Sequence, residues 1–346
     1  MRAARFHAPG DIRLEDVPEP SAGPGDVVIR VRNCSTCGTD VKISRHGHHH
    51  IVPPRTLGHE IAGEIASLGE GVAGWSVGDR VQVIAAIPDG VCLDCRAGRF
   101  TVCPNQESMG YHYDGGFAPY CRVPAKVLAV DGLNRIPDGV GFAAASVSEP
   151  LACVINGQEL AGVGKGDDVV VLGAGPIGCL HVRMARANGA ARVFLVDVNP
   201  ARLEQAALVA RPDAALGGGA DDPLAGVLDL TDGRGVDVAI TATAAGAAQE
   251  QALLMLARRG RLSLFGGLPK DRPTITLDSN LVHYRELTLV GANGSSPAHN
   301  ARALDLIATG VVAVDDLITH RLPLEAVVEG IDIVARGEAI KVTIEP

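Results

Sequence analysis

Val169-Val170-Val171-Leu172-Gly173-Ala174-Gly175-Pro176-Ile177-Gly178 is the stretch that decides the fold. A short apolar run rich in β-branched residues reads as a buried strand, and a G-x-G-x-x-G turn ends it. Gly173 makes the tight turn, Gly175 lets a pyrophosphate approach the backbone, and Gly178 lets helix and strand pack closely. Pro176 and Ile177 then open a helix, expected to run to Asn188, whose free N–H groups face an anion. Asp197 ends the next strand, about twenty residues on, where such a unit needs an acid for the adenosine ribose hydroxyls. A carboxylate there favours NAD, because it repels the 2′-phosphate of NADP. Arg202 follows, placed either to soften that repulsion or simply on a helix surface.

Working outward, strands and helices alternate: Arg192–Asp197, Pro200–Ala210, Asp237–Thr241, Ala247–Ala257 and Gly260–Gly266. Alternation of this kind implies an α/β domain with a doubly wound parallel sheet, expected over residues 151–285. Upstream, Val27–Arg32, Ile61–Leu68, Arg80–Ile84 and Phe117–Val123 are short β-like runs bounded by turn residues. They predict a mostly β domain over residues 1–150. A strand at Glu286–Val290, a helix at Pro297–Thr309 and a closing strand at Ile340–Ile344 are expected to complete that first domain through residues 286–346. A length of 346 residues suits two domains.

Net charge of −9 argues against nucleic acid as a partner, which needs a basic face. Apolar stretches are broken before about 18 residues, so no membrane span is expected. Met1–Gly10 lacks the apolar core of a secretory signal, and a cytoplasmic location is expected. Eight cysteines in such a chain are better read as metal ligands than as disulfides.

Two constellations carry that reading. Asp89, Cys92, Cys95 and Cys103 crowd one Gly-containing loop. Three thiolates and one carboxylate can close a tetrahedral zinc site, which is then structural. Cys37 and His59 are one soft and one borderline ligand, and Glu149 can supply a third. A fourth position left to water or substrate is the open arrangement of a catalytic zinc. Taken alone, Cys37 and His59 also fit a buried thiol and a core histidine. The tract from Arg45 to His50, with His46, His48, His49 and His50, reads as a solvated loop rather than a metal sensor.

Together Cys37-Gly38-Thr39-Asp40, Gly58-His59-Glu60, the cysteine lobe, Glu149-Pro150-Leu151, the turn at 173–178 and Leu322-Pro323-Leu324-Glu325-Ala326 resemble the zinc-dependent medium-chain dehydrogenase/reductase superfamily. The match is closest to its sorbitol (polyol) and threonine dehydrogenase branch and spans the whole chain. The resemblance implies a GroES-like catalytic domain interrupted by a Rossmann domain, with the active site in the cleft between, in a homodimer or homotetramer. It implies two zinc ions per subunit and NAD as hydride acceptor, with a secondary alcohol, polyol, cyclitol or amino alcohol as substrate. Cys37, His59 and Glu149 match the catalytic zinc ligands. Glu60 matches an acid that coordinates directly or approaches during turnover, and Thr39 the hydroxyl that takes the substrate proton. Thr241, Phe265, Gly266, Ala292 and Asn293 join the expected cofactor contacts.

Three departures stand out. Asp89 replaces the first cysteine of the lobe. Lys42 replaces a histidine that ends the proton relay, which makes it either a relay base or a fixed cation near the cofactor. The run Ala292-Asn293-Gly294-Ser295-Ser296 lacks the arginine that grips sugar hydroxyls in the polyol branch. A zinc-free quinone or enone reductase would need no such ligand set. A non-catalytic dinucleotide-binding protein would keep the turn and lose the open metal site.

Overall fold

The structure, a computed structural model, describes residues 1–217 and 222–346. It divides into two compact units, Met1–Ala152 with Gly294–Pro346, and Cys153–Asn293.

In the first unit a seven-stranded sheet is built around Val27–Ser35. This strand pairs antiparallel with Glu60–Leu68, Ser35 opposite Glu60, and with Lys341–Glu345, Thr343 opposite Ser35. Register thus sets Glu60 and the middle of the Lys341–Glu345 strand on either side of Ser35. Two bulges, at Val28/Ile29 and Val31/Asn33, bend the strand, which re-aims the side chains at its end. Val27, Ile29, Val31, Ile61, Ile65, Val81, Val342 and Ile344 are buried in one apolar core. Arg2–Ala8, Asp11–Asp16 and Arg55–Thr56 make a separate three-stranded sheet, and the first two have no counterpart among the elements expected from sequence. The same holds for helix Val327–Arg336, which buries Val327, Gly330, Ile331 and Ile333.

In the second unit six strands are all parallel. Their spatial order is Ala214–Gly217, Arg192–Asp197, Asp168–Leu172, Val236–Thr241, Leu256–Leu264, Thr288–Gly291. Numbered along the chain this is 3-2-1-4-5-6, the doubly wound order. Val169 to Leu172 are all buried, as a strand covered on both faces requires. Asp168 opens that strand, and Arg192 and Arg234 each reach its Oδ2 at 2.6 Å. These two guanidinium groups hold its carboxyl below the usual range.

Strand Thr288–Gly291 belongs to this sheet although it lies beyond residue 285. The helix expected over Ala247–Ala257 ends at Leu254, and Leu256 already starts the next strand. Met255, Leu256 and Ala257 are buried, and an uninterrupted apolar run does not distinguish helix from strand.

Candidate active site

Cys37 caps the helix Gly38–His46, and its N–H donates to Asp40 Oδ2 at 2.8 Å. Its sulfur lies 3.6 Å from Thr39 Oγ1. His59 follows Gly58, whose φ of +90° suits glycine. A side chain at Gly58 would strike Cys34 Sγ at 2.7 Å and the Phe117 ring at 2.8 Å. Glu60 begins its strand directly after. These elements bring one ligand atom each from Cys37, His59 and Glu60 within 4.8 Å of one another.

Several buried polar atoms there have no hydrogen-bond partner among the described residues: His59 Nδ1, Asp40 Oδ1 and Glu60 Oε1. Asp40 Oδ1 is 3.7 Å from His59 Nδ1, close enough for charge attraction but too far for a hydrogen bond. Burial works against a charged His59, yet Asp40, the Cys37 sulfur and Glu149 lift it well above the ordinary histidine value. Burial likewise raises Glu60, opposed by Lys341, which contacts its Oε2 and donates to the Thr36 carbonyl at 2.8 Å. A soft donor, an imidazole and a carboxylate with open lone pairs fit a borderline divalent cation such as zinc.

Glu149 is buried in the first turn of helix Ser148–Ala161 and acts electrostatically on His59, Glu60 and Lys341. It stands outside the compact trio. Lys42 is exposed on the Cys37 helix. Tyr111 presents its ring edge-on to His59, with centroids 6.0 Å apart. Burial and the acids around Cys37 push its phenol up, and Thr39 hydrogen-bonds to it. His48 is half-buried and meets Tyr111 edge-on at 4.9 Å, so the histidine tract is not simply a solvated loop. Asp40 and Lys341 were not among the residues expected from sequence. Asp40 has a signal there, three residues after a helix cap, whereas Lys341 enters only through strand register.

Asp89, Cys92, Cys95 and Cys103 form the second compact donor set, also within 4.8 Å. The Cys92 and Cys103 sulfurs are 3.9 Å apart. Backbone N–H groups of Cys95 and Asp89 point at the sulfurs of Cys92 and Cys103, at 3.4 and 3.3 Å. Burial, the Cys92 thiol and Asp89 push Cys95 up to about 12. A cation among these donors would relieve that crowding. Asp89 Oδ1 accepts from the N–H groups of Val91 and Cys92, both at 2.9 Å, and Oδ2 from Asn105 Nδ2 at 2.6 Å. These bonds, that from Asn105 foremost, hold its carboxyl well below the usual range.

In the second unit every expected cofactor contact except Arg202 lies at or just beyond the carboxyl end of a parallel strand, where ligands of such sheets bind. Among the described residues nothing stands within 4 Å of a Cβ built on Gly175. A Cβ on Gly173 would meet the Ala242 carbonyl at 2.8 Å, and one on Gly178 would run into the Gly173 carbonyl. The turn is therefore closed toward the protein and open on the side a pyrophosphate would take, with Pro176 and Ile177 starting the helix. Asp197 accepts from Ala174 N–H at 2.7 Å and Asn199 N–H at 2.8 Å, which fastens the turn to the acid. The Thr241 hydroxyl already donates to the Ser263 carbonyl at 3.1 Å. Gly266 donates its N–H to Thr241, Ala292 donates to Leu264, and the Asn293 carbonyl accepts from Asn156. Phe265 stands edge-on to His181 at 4.6 Å. Arg202 gives its backbone N–H to the Asn199 cap.

Comparison with known proteins agrees with both halves. The alcohol dehydrogenase GroES-like domain family matches residues 23–134, and the zinc-binding dehydrogenase family matches residues 176–309. A sorbitol dehydrogenase of Halalkalibacterium halodurans is 32% identical over 98% of this chain and 97% of its own. An L-threonine 3-dehydrogenase of Pyrococcus horikoshii is 36% identical over 88% of this chain and 86% of its own. Among solved structures, a Sinorhizobium meliloti protein described as a zinc-binding dehydrogenase, bound to NADP, superposes with a TM-score of 0.91 at 32% identity. It covers 100% of this chain and 99% of its own.

Proposed function

The chain belongs to the zinc-binding alcohol dehydrogenase family, and from that premise we propose that it oxidises a secondary alcohol or polyol with NAD. The relatives act, by their names, on sorbitol and on threonine. The missing arginine near Gly294 favours a substrate other than sorbitol itself. The observation that carries the reading is the trio Cys37, His59 and Glu60, drawn within 4.8 Å with lone pairs of His59 and Glu60 unengaged.

Cys37, His59 and either Glu60 or Glu149 would hold the catalytic zinc, and Asp89, Cys92, Cys95 and Cys103 the structural one. When bound, the catalytic zinc would make a substrate hydroxyl more acidic, and NAD would accept the hydride from the carbon that bears that hydroxyl. Thr39, beside the Cys37 sulfur, takes the hydroxyl proton while passing its own on toward solvent. Asp40 faces His59 and fixes the Cys37 N–H. Lys341 restrains Glu60. Gly173, Gly175, Gly178 and Asp197 hold the dinucleotide, and exposed Lys42 is a fixed cation rather than a relay base. The oligomer expected is a homodimer or homotetramer, in the cytoplasm. Among the described residues no helix is long and apolar enough to cross a membrane.

A panel of polyols, cyclitols, amino alcohols and plain secondary alcohols, scored by NAD reduction alongside zinc content, tests the proposal. Two zinc ions per chain and turnover of at least one secondary alcohol are expected. Cys37→Ala should lose one zinc and all turnover while NADH still binds. Turnover near the parent rate in Cys37→Ala would refute the assignment.

A further inference from the structure

Three side-chain amides are buried together in the first unit. Gln82 and Asn134 stand directly opposite each other on the antiparallel strands Arg80–Val83 and Leu133–Arg135, and Asn300 lies in the first turn of helix Pro297–Ala308. Asparagine is a poor helix former, and a buried amide is costly unless its hydrogen bonds are made. Here they are made, all in one direction. Asn134 Nδ2 donates to Gln82 Oε1 at 2.9 Å, and Gln82 Nε2 donates to Asn300 Oδ1 at 3.1 Å. Asn300 Nδ2 in turn donates to the Ser295 hydroxyl at 3.1 Å and to the Ser296 carbonyl at 3.0 Å. A buried network satisfied in this way is rigid, because each amide fixes the orientation of the next.

The network ends on the segment 292–296. Its downstream part, Ser295 and Ser296, is buried and held by Asn300. Its upstream part is held separately: the Ala292 N–H donates to the Leu264 carbonyl at 3.3 Å, and Asn156 Nδ2 donates to the Asn293 carbonyl at 3.2 Å. Gly294 alone separates the two clamps, with a φ of +57°, and among the described residues nothing stands within 4 Å of a Cβ built on it. A glycine in open space adds no stiffness of its own. The path of the backbone through Asn293 is therefore set by the groups that grip it on either side.

We propose that Asn300, with Gln82 and Asn134 behind it, is a positioning residue for the dinucleotide: by fixing Ser295 and Ser296 it sets where Ala292 and Asn293 meet NAD. This rests on the dehydrogenase reading, in which Ala292 and Asn293 contact the cofactor.

Fluorescence titration of the zinc-loaded protein with NADH, well below its unfolding temperature, tests the assignment, beside kinetics on an alcohol that the panel shows to be turned over. Asn300→Leu should weaken NADH binding by about tenfold, the scale of one buried hydrogen bond. The KM for NAD should rise alike while kcat at saturating NAD stays near the parent value, the pattern of lost binding rather than lost chemistry. Ser295→Ala removes only the acceptor hydroxyl, should weaken NADH binding several-fold, and keeps the test open where Asn300→Leu fails to fold. Ile331→Ala empties part of the apolar core of the same unit and should lower stability with NADH affinity unchanged. A parent chain that does not bind NADH takes down the dehydrogenase reading and this proposal with it. A parent that binds NADH, with affinity unchanged in both Asn300→Leu and Ser295→Ala, overturns this proposal alone. So does an Ile331→Ala variant that loses as much NADH affinity as Asn300→Leu, because the effect would then be general loosening of the unit.

Discussion

Lys341 and Glu60 form an ion pair that water does not reach, with side chains 2% and 0% exposed. The pair joins the last strand of the chain to the residue that follows His59. Burial alone would lower Lys341, but the charges of Glu60, Cys37 and Glu149 raise it above the ordinary lysine value. Desolvating two charges is costly, so the pair adds little net stability, yet removing one partner strands the other.

Lys341→Met should therefore destabilise the first unit by about 3–5 kcal/mol, the usual cost of an orphaned buried charge. Adding Glu60→Gln should recover much of the loss, because Glu60 then no longer carries a buried charge without its partner. Urea unfolding of chelator-treated protein checks this without interference from metal loading. Equal stability of the single and double variants would show that Glu60 had found another partner or taken up a proton.

What was legible in the sequence had a local cause. The turn at 173–178 announces itself because each glycine answers a steric demand within ten residues, and the cysteine lobe because its donors share one loop. Cys37 and His59 can be offered as ligands from their donor types, but a buried thiol and a core histidine fit equally well until the family resemblance is added, since the register of Val27–Ser35 against Glu60–Leu68 is what unites them. Lys341 reaches Glu60 through a second strand pairing, some 280 positions away in sequence (341 against 60). No periodicity or spacing encodes such a contact. Helix Val327–Arg336 and the boundary at Met255 escaped for a different reason, since short apolar runs suit more than one element.

Asp197 should set cofactor choice. Its oxygens are fastened by Ala174 and Asn199, so the carboxylate is held in place rather than free to turn away from a 2′-phosphate. NAD is expected to exceed NADP by at least tenfold in kcat/KM, about 1.4 kcal/mol. Asp197→Ala should narrow that ratio and also lower thermal stability, because two N–H groups lose their acceptor. Steady-state kinetics with both cofactors decides. A native preference for NADP would mean that Arg202 governs the site instead.

His181 should make the second unit acid-sensitive. Burial pushes its imidazole down to about 3, and its Nδ1 lies 3.3 Å from Gln158 Nε2. Histidine in an unfolded chain titrates near 6.5. Above that value both states are neutral and this residue adds no pH dependence. Below it the unfolded chain binds a proton that the folded one refuses, so stability falls by up to about 1.4 kcal/mol per pH unit until about pH 3. His181→Gln should remove this slope while shifting the whole curve by a constant. The measurement is the stability difference between parent and variant at pH 7.5 and pH 5. A difference that does not change with pH would mean that His181 is charged when folded.

Asp89 should behave as a ligand that three N–H donors have fixed in advance. Its carboxylate is already ionised and aimed by Val91, Cys92 and Asn105, so binding zinc costs it neither a proton nor much freedom. Asp89→Ala removes a donor and releases those N–H groups together, and should cost the lobe its zinc and lower thermal stability while the chemical step is spared. Asp89→Asn keeps an acceptor oxygen but drops the charge, and should retain more stability than Asp89→Ala while binding zinc more weakly than the parent. Asp89→Cys should retain or tighten the metal, because a thiolate restores a four-sulfur shell. Zinc content per chain, read beside alkylation of Cys92, Cys95 and Cys103, separates these outcomes. One zinc per parent chain with all three thiols freely alkylated would leave Asp89 as a loop cap alone, stabilising the turn into Leu93–Arg96 through its hydrogen bonds and nothing more.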